Sequence, residues 1–214
     1  MQHSQIERRS PAADSEVPRL PAADRRLMLR IAATSIVSSL APPLADGPDV
    51  DPRQYSIALQ QPRGTFVTLH HRGRLRGCCG SITASEPMIV NLARSARAAA
   101  FFDERFSRVC EMEIDGLELH ISIIGILRPL AAKCEEELLD SLRVGQDGLV
   151  LRTSDRIAVF LPAVWKRLPE PREFVARLKV KAGLAANAWP SPVSWHRFNV
   201  QECAGRCVDC LTTE

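Results

Sequence analysis

The sequence contains no apolar run of about eighteen residues, and therefore no segment of the length that crosses a bilayer as a helix. Aromatic residues are scarce, at 5% of 214 positions with a single tyrosine. That is too few to interleave with cations as a stacking platform for single-stranded nucleic acid. Charge of neither sign dominates: 28 Lys and Arg against 25 Asp and Glu leave +3. Such a balance is far from the basic footprint of a non-specific nucleic-acid binder. Lysine is scarce too, with 4 of those cations against 24 arginines. Cysteine is thinly spread, seven in 214 residues, and the odd count argues against a disulfide scaffold. The N-terminus lacks the apolar core of a signal peptide. These shortages point to a reduced, cytoplasmic setting in which each cysteine is a thiol. What remains is ordinary for a globular protein: 45% hydrophobic and 25% charged residues, in a length that suits one compact domain or one domain with a smaller lobe.

Residues 1–23 form a polar, proline-bearing leader that is predicted to be disordered. From Asp24, which can cap a helix, Leu27, Met28, Ile31 and Leu40 recur at helical spacing until Pro42-Pro43 stops the run. A proline-rich irregular connection follows over 41–61. Two β-branched and aromatic runs, Gly64 to Leu69 and Arg74 to Ser81, flank a glycine-bearing turn and predict a hairpin. Ser85-Glu86-Pro87 opens a helix that ends near Phe101-Phe102. Leu117 to Ile123 alternates as a strand with one buried face, and Glu135 to Leu142 reads as a short helix. A second hairpin spans Gly148 to Leu161, a helix runs from Pro171 to Leu184 with Gly183 ending it, and Ser194 to Gln201 forms a last strand. Hairpins mixed with separate helices predict an α+β fold with a largely antiparallel sheet and flanking helices.

The chemistry concentrates around the first hairpin. In a regular strand Arg74, Arg76 and Cys78 share one face, whereas Leu75 and Cys79 point to the core. Cys78 is thus the candidate nucleophile and Cys79 the packing residue. A guanidinium near a thiol favours its reactive thiolate form, and an arginine pair suits a small anionic ligand. Gly77 and Gly80 each weaken a strand, so their presence suggests a bend or a closely approaching ligand. A nucleophile also needs a base. His120 on an outward strand face and His70-His71 in the turn read as surface residues, and no base is assigned.

Asp103 and Arg105 read as a pair that holds the turn after the helix, and Lys181 complements the dipole of a helix that Gly183 ends. Cys203, Cys207 and Cys210 have the C-x3-C-x2-C spacing of a radical SAM cluster, yet only four residues follow them. A zinc site would lack one ligand. The expectation for 203–214 is a mobile tail with free thiols, and no metal or cofactor is assigned. Phosphate-loop, dinucleotide, HExxH and GxSxG motifs are absent. Arg72, Arg74 and Arg76, with Arg94 and Arg97, form a basic stripe that has no interleaved aromatics, which disfavours nucleic-acid binding.

Several blocks together resemble the AMMECR family, the A component of the AmmeMemoRadiSam system. Leu75-Arg76-Gly77-Cys78-Cys79-Gly80 is similar to its LRGCIG signature, with Cys79 in place of isoleucine. Ala98 to Phe106 resembles AFxDPRF, with Glu104 where proline is usual, and Gly145 to Leu149 resembles GxxGL. Leu161-Pro162 is similar to the start of LLPQVA, and Lys181 to Leu184 to KAGL followed by Trp189. The resemblance covers 24–202. It implies an α+β fold of two subdomains around a cleft lined by the signature hairpin. Arg74, Arg76, Gly77, Gly80, Arg105 and Lys181 are then expected as binding residues around Cys78. It further implies a Memo-like protein and a radical SAM protein as partners. An enzyme or substrate-handling protein is the first expectation. A non-catalytic adaptor and a nucleic-acid binder are the alternatives.

Overall fold

The computed structural model describes residues 19–40, 49–189 and 191–212. The expected α+β fold takes the form of two four-stranded antiparallel sheets, each with its own helices and core.

In the larger lobe the strand order is β2-β1-β3-β8, with β1 at Thr65–His71, β2 at Arg74–Gly80, β3 at Leu117–Ile124 and β8 at Val200–Arg206. Three helices pack on it: α1 at Ala22–Val37, α3 at Met88–Phe101 and α6 at Cys207–Thr212. A short helix, α2 at Ile57–Gln60, lies in the connection between α1 and β1. Val67 and Leu69 of β1 and Leu117, Leu119, Ile121 and Ile123 of β3 alternate into the same core, as a period of two requires. The alanines of α3 let it come close: a Cβ on Gly77 would lie 2.0 Å from the Ala99 carbonyl oxygen. Gly77 thus accommodates a helix rather than a ligand.

The smaller lobe is inserted between β3 and β8. Its order is β4-β7-β5-β6, with β4 at Arg128–Leu130, β5 at Gly148–Arg152, β6 at Ile157–Phe160 and β7 at Ser194–Phe198. Helices α4 at Glu135–Ser141 and α5 at Pro171–Lys181 enclose a core of Trp165, Phe174, Leu178 and Trp195. Trp165 and Phe174 stack with ring centroids 3.8 Å apart. Ile124, Val150 and Phe198 are buried together where the lobes meet, with Phe66, Ile82 and Val200 against them. Gly148 has no side chain because the Phe198 ring lies on its Cα, 2.3 Å from where a Cβ would be.

Four sequence expectations change. The last strand is two strands in different sheets, β7 and β8, separated only by Asn199. The expected free tail is folded: Cys203 lies on β8, and Cys207 and Cys210 on α6 are buried in the larger core. Cysteine behaves as a small hydrophobe, so a strand and helix with cysteine on the inner face carry little conventional apolar signal. Asp24 does not cap α1, which Pro21 precedes; its carboxylate instead accepts a hydrogen bond from Ser56 Oγ at 2.8 Å. The stretch assigned to the leader also ends earlier than expected, since Leu20 is buried and its N–H donates to Gln201 Oε1. Residues 1–18, and 41–48 of the expected loop, lie outside the described residues.

Candidate functional site

The register of the signature hairpin decides which side chains meet. Leu69 pairs with Gly77 but the next residue, His70, pairs with Leu75, so Arg76 is an extra residue in β2. A bulge of this kind breaks the alternation across it. Arg76 and Cys78 therefore do not act as neighbours on one face. The Arg76 guanidinium is spent on the segment after α3. Its Nε and Nη2 hold Glu113 at 2.6 and 2.9 Å, while Nη1 and Nη2 donate to the Ser107 and Arg108 carbonyls at 2.7 and 3.1 Å. Glu113 is held down to about 2, chiefly by Arg76, against the effect of burial. Arg76 is a clamp on the fold. Arg74, at the exposed end of the hairpin opposite His71, is not brought to the thiol either.

Beyond the bulge, Cys78 and Cys79 take opposite faces. Cys79 lies opposite Val67 and packs against the main core, where burial pushes its thiol pKa up. Cys78 lies opposite Thr68, whose Oγ1 donates to Sγ at 3.4 Å, within the range for sulfur. The Cys78 backbone N–H, on the outer edge of β2, donates to Asp103 Oδ2 at 2.8 Å. Asp103 also accepts from the backbone N–H, Nε and Nη2 of Arg105, at 3.2, 2.9 and 2.6 Å. With its carboxylate almost wholly covered, Asp103 is held far below the usual carboxylate range, first by Arg105 and then by the Cys78 N–H. The expected Asp103–Arg105 pair is real, and it has a further role that the sequence did not disclose: it fixes the backbone of the thiol residue. Gly80 is needed by backbone approach, since a Cβ there would lie 2.2 Å from the Thr65 carbonyl oxygen.

The second lobe reaches the same place through α5. Lys181 Nζ donates to the Val159 carbonyl at 2.9 Å and lies 5.4 Å from the Phe160 ring centroid. Its side chain is exposed to solvent, yet partial desolvation of the ammonium by its neighbours pushes its pKa below the ordinary lysine value. Cys78 and Arg105 both act on it electrostatically, so a cation from each lobe lies within electrostatic range of the thiol. Of the expected site residues, Cys78, Arg105 and Lys181 come together, while Arg74 and Arg76 do not. Thr68 and Asp103 complete the group. No spacing rule could have found them, because the bulge that aligns Thr68 with Cys78 is invisible to residue counting.

His70, His71 and His120 occupy the same sheet, whereas His196 lies on β7 of the smaller lobe. Cys78, Thr68 and His120 form one row across β2, β1 and β3. His70 is a strand residue rather than part of the turn, and its ring meets His120 edge-on at 4.7 Å. His120 stands 3.8 Å from Glu118. Two inter-strand spacings separate His120 from Cys78 along the row, about 10 Å. Among the described residues no histidine is hydrogen-bonded to the thiol. Burial raises Cys203 and Cys207 to about 11, which keeps them neutral. No group of three His, Cys, Asp or Glu side chains among the described residues is arranged to hold a metal ion.

Known proteins share this arrangement of sequence and fold. A protein of Methanothermobacter thermautotrophicus is 32% identical over 148 residues, covering 66% of this chain and 75% of that protein. One from Thermofilum pendens is 30% identical over 199 residues, covering 86% of this chain and 90% of its own length. The crystal structure of an uncharacterised protein from Pyrococcus horikoshii superposes with a TM-score of 0.75 at 26% identity, over 84% of this chain and 90% of that one. The family model for AMMECR1 matches residues 29–203, which takes in the hairpin, the Asp103–Arg105 turn and Lys181. The chain belongs to the AMMECR1 family.

Proposed function

We propose that the cleft face of β2 is the working site of a cytoplasmic enzyme that handles a small anionic molecule, with Cys78 as its nucleophile. The observation that carries this reading is the convergence of Lys181 from one lobe and the Asp103–Arg105 pair from the other on one thiol. Lys181 offers a hydrogen-bonding charge to a carboxylate or phosphate, and Arg105, tethered by Asp103, adds a second. Cys78 is aimed by its own N–H and by Thr68, so the sulfur presents one direction to whatever occupies the cleft. The family resemblance supports a setting alongside a Memo-like protein and a radical SAM protein, which would supply or consume the molecule bound here.

Labelling by a thiol reagent at neutral pH, read by peptide mass spectrometry, tests the proposal. Cys78 is expected to react ahead of Cys79, whose half-buried thiol packs against the core and has a raised pKa. Lys181→Met should slow the reaction of an anionic reagent by about tenfold while barely changing that of a neutral one. Equal and slow labelling of Cys78 and Cys79 would sink the thiol chemistry. An adaptor would instead retain partner binding in Cys78→Ser and lose it when the cleft surface is changed.

A further inference from the structure

The junction of the lobes has a second opening, at the β8 edge of the larger sheet and away from Cys78. A cavity of about 570 Å³ lies there, walled by Gln146, Trp165 and Lys166 of the smaller lobe and by Asn199 and Glu202 of the crossover. A second hollow of about 460 Å³ shares Asn199 and Glu202 and adds Arg19 and Arg25. Glu202 lines both, Lys166 only the first, and the two arginines only the second, so the charges along the groove run positive, negative, positive. Lys166, Arg19 and Arg25 have no ion-pair partner among the described residues. The contact that Glu202 makes is a long one, 3.5 Å from Ser122 Oγ. Asn199 Oδ1 accepts from Arg143 at 3.3 Å, which leaves its amide N–H groups to donate. The Gly145-Gln146 and Pro162-Ala163 segments, which take no part in the Cys78 site, contribute to this wall.

We propose that this groove is a separate binding site for a small dicarboxylic amino acid. The ligand ammonium meets Glu202, one carboxylate meets Lys166, and the other meets Arg19 and Arg25. Each would be a charge-assisted bond, and the order of charges along such a ligand is the complement of the groove. The first cavity alone falls within the size range of small-molecule sites and, like many of them, lies at a junction between lobes. The inference does not depend on any chemistry at Cys78.

Isothermal titration of the full chain with L-glutamate, L-aspartate, L-glutamine and glutarate tests it. At least one of the two dicarboxylic amino acids should bind saturably. Glutamine, which lacks the second carboxylate, and glutarate, which lacks the ammonium, should bind about tenfold or more weakly. Glu202→Gln and Lys166→Met change exposed side chains, and each should cost about tenfold, whereas Cys78→Ser should leave the affinity unchanged. Three results would overturn the site: no saturable binding of any of the four, glutarate binding as tightly as glutamate, or affinities indifferent to both variants.

Discussion

At the residue scale the Arg76–Glu113 pair is the most testable feature. Glu113 has a folded pKa of about 2 against an ordinary 4.5, so its contribution to stability is present above pH 4.5 and is lost as pH falls toward 2. Glu113→Gln leaves a largely covered guanidinium without its counter-charge and should cost about 2 kcal/mol at pH 7. Urea unfolding at pH 7 and at pH 3 should show the gap between wild type and variant shrinking at the lower pH. A gap independent of pH would mean that the pair does not titrate as the structure requires. Cys78, Arg105 and Lys181 were expected near one another from the sequence because each stands in a block resembling a family motif. Arg76 was legible as important but not in its role: strand parity placed it beside the thiol, and one extra residue in the ladder sent it to Glu113. Asp103 was read as a turn former because a hydrogen bond from an edge-strand N–H to a carboxylate leaves no pattern in the sequence.

At the scale of elements, β2 and α6 carry opposite lessons. Both strands of the signature hairpin, and the helix after it, were legible from alternation and turn chemistry, with boundaries that moved by a residue or two. The glycines of β2 were read as room for a ligand, yet they make room for α3 and for β1. Gly77→Ala places a methyl group against the Ala99 carbonyl and should destabilise by about 3 kcal/mol, whereas Gly73→Ala, at φ 74° with open space around it, should cost only about 1–2 kcal/mol. Thermal melts of the two variants would rank them; equal losses would contradict the close helix packing. β8 and α6 were missed because cysteine and glycine form their inner face. Cys207→Ser buries a hydroxyl in an apolar core and is expected to cost about 2 kcal/mol. A free tail would tolerate the change with no shift in melting.

At the scale of the molecule, the two lobes are joined by a narrow neck. Ile124 pairs with Val200, and Gly125 N–H donates to the Asn199 carbonyl at 2.8 Å, so the chain leaves for the smaller lobe and returns at the same place. Replacing 126–198 by an Asn-Gly turn should therefore leave the larger lobe folded, because β3 and β8 become an ordinary hairpin. Circular dichroism and a cooperative unfolding transition would show it; a chain without a cooperative transition would mean that the larger lobe needs its insert. Chain length allowed a smaller lobe and the family resemblance implied two, but strand alternation could not show the division, since a pair of interrupted sheets and a single continuous sheet leave the same alternation in a sequence.

Asn199 stands alone between a strand of one sheet and a strand of the other, so the joint has no slack. One residue added there would turn every side chain of β8 over, carrying Glu202 inward and Cys203 out to water. The length of this crossover is thus as strictly fixed as the interior of a core strand. Extra residues are accommodated instead at exposed turns such as Arg72-Gly73, where added chain changes no register.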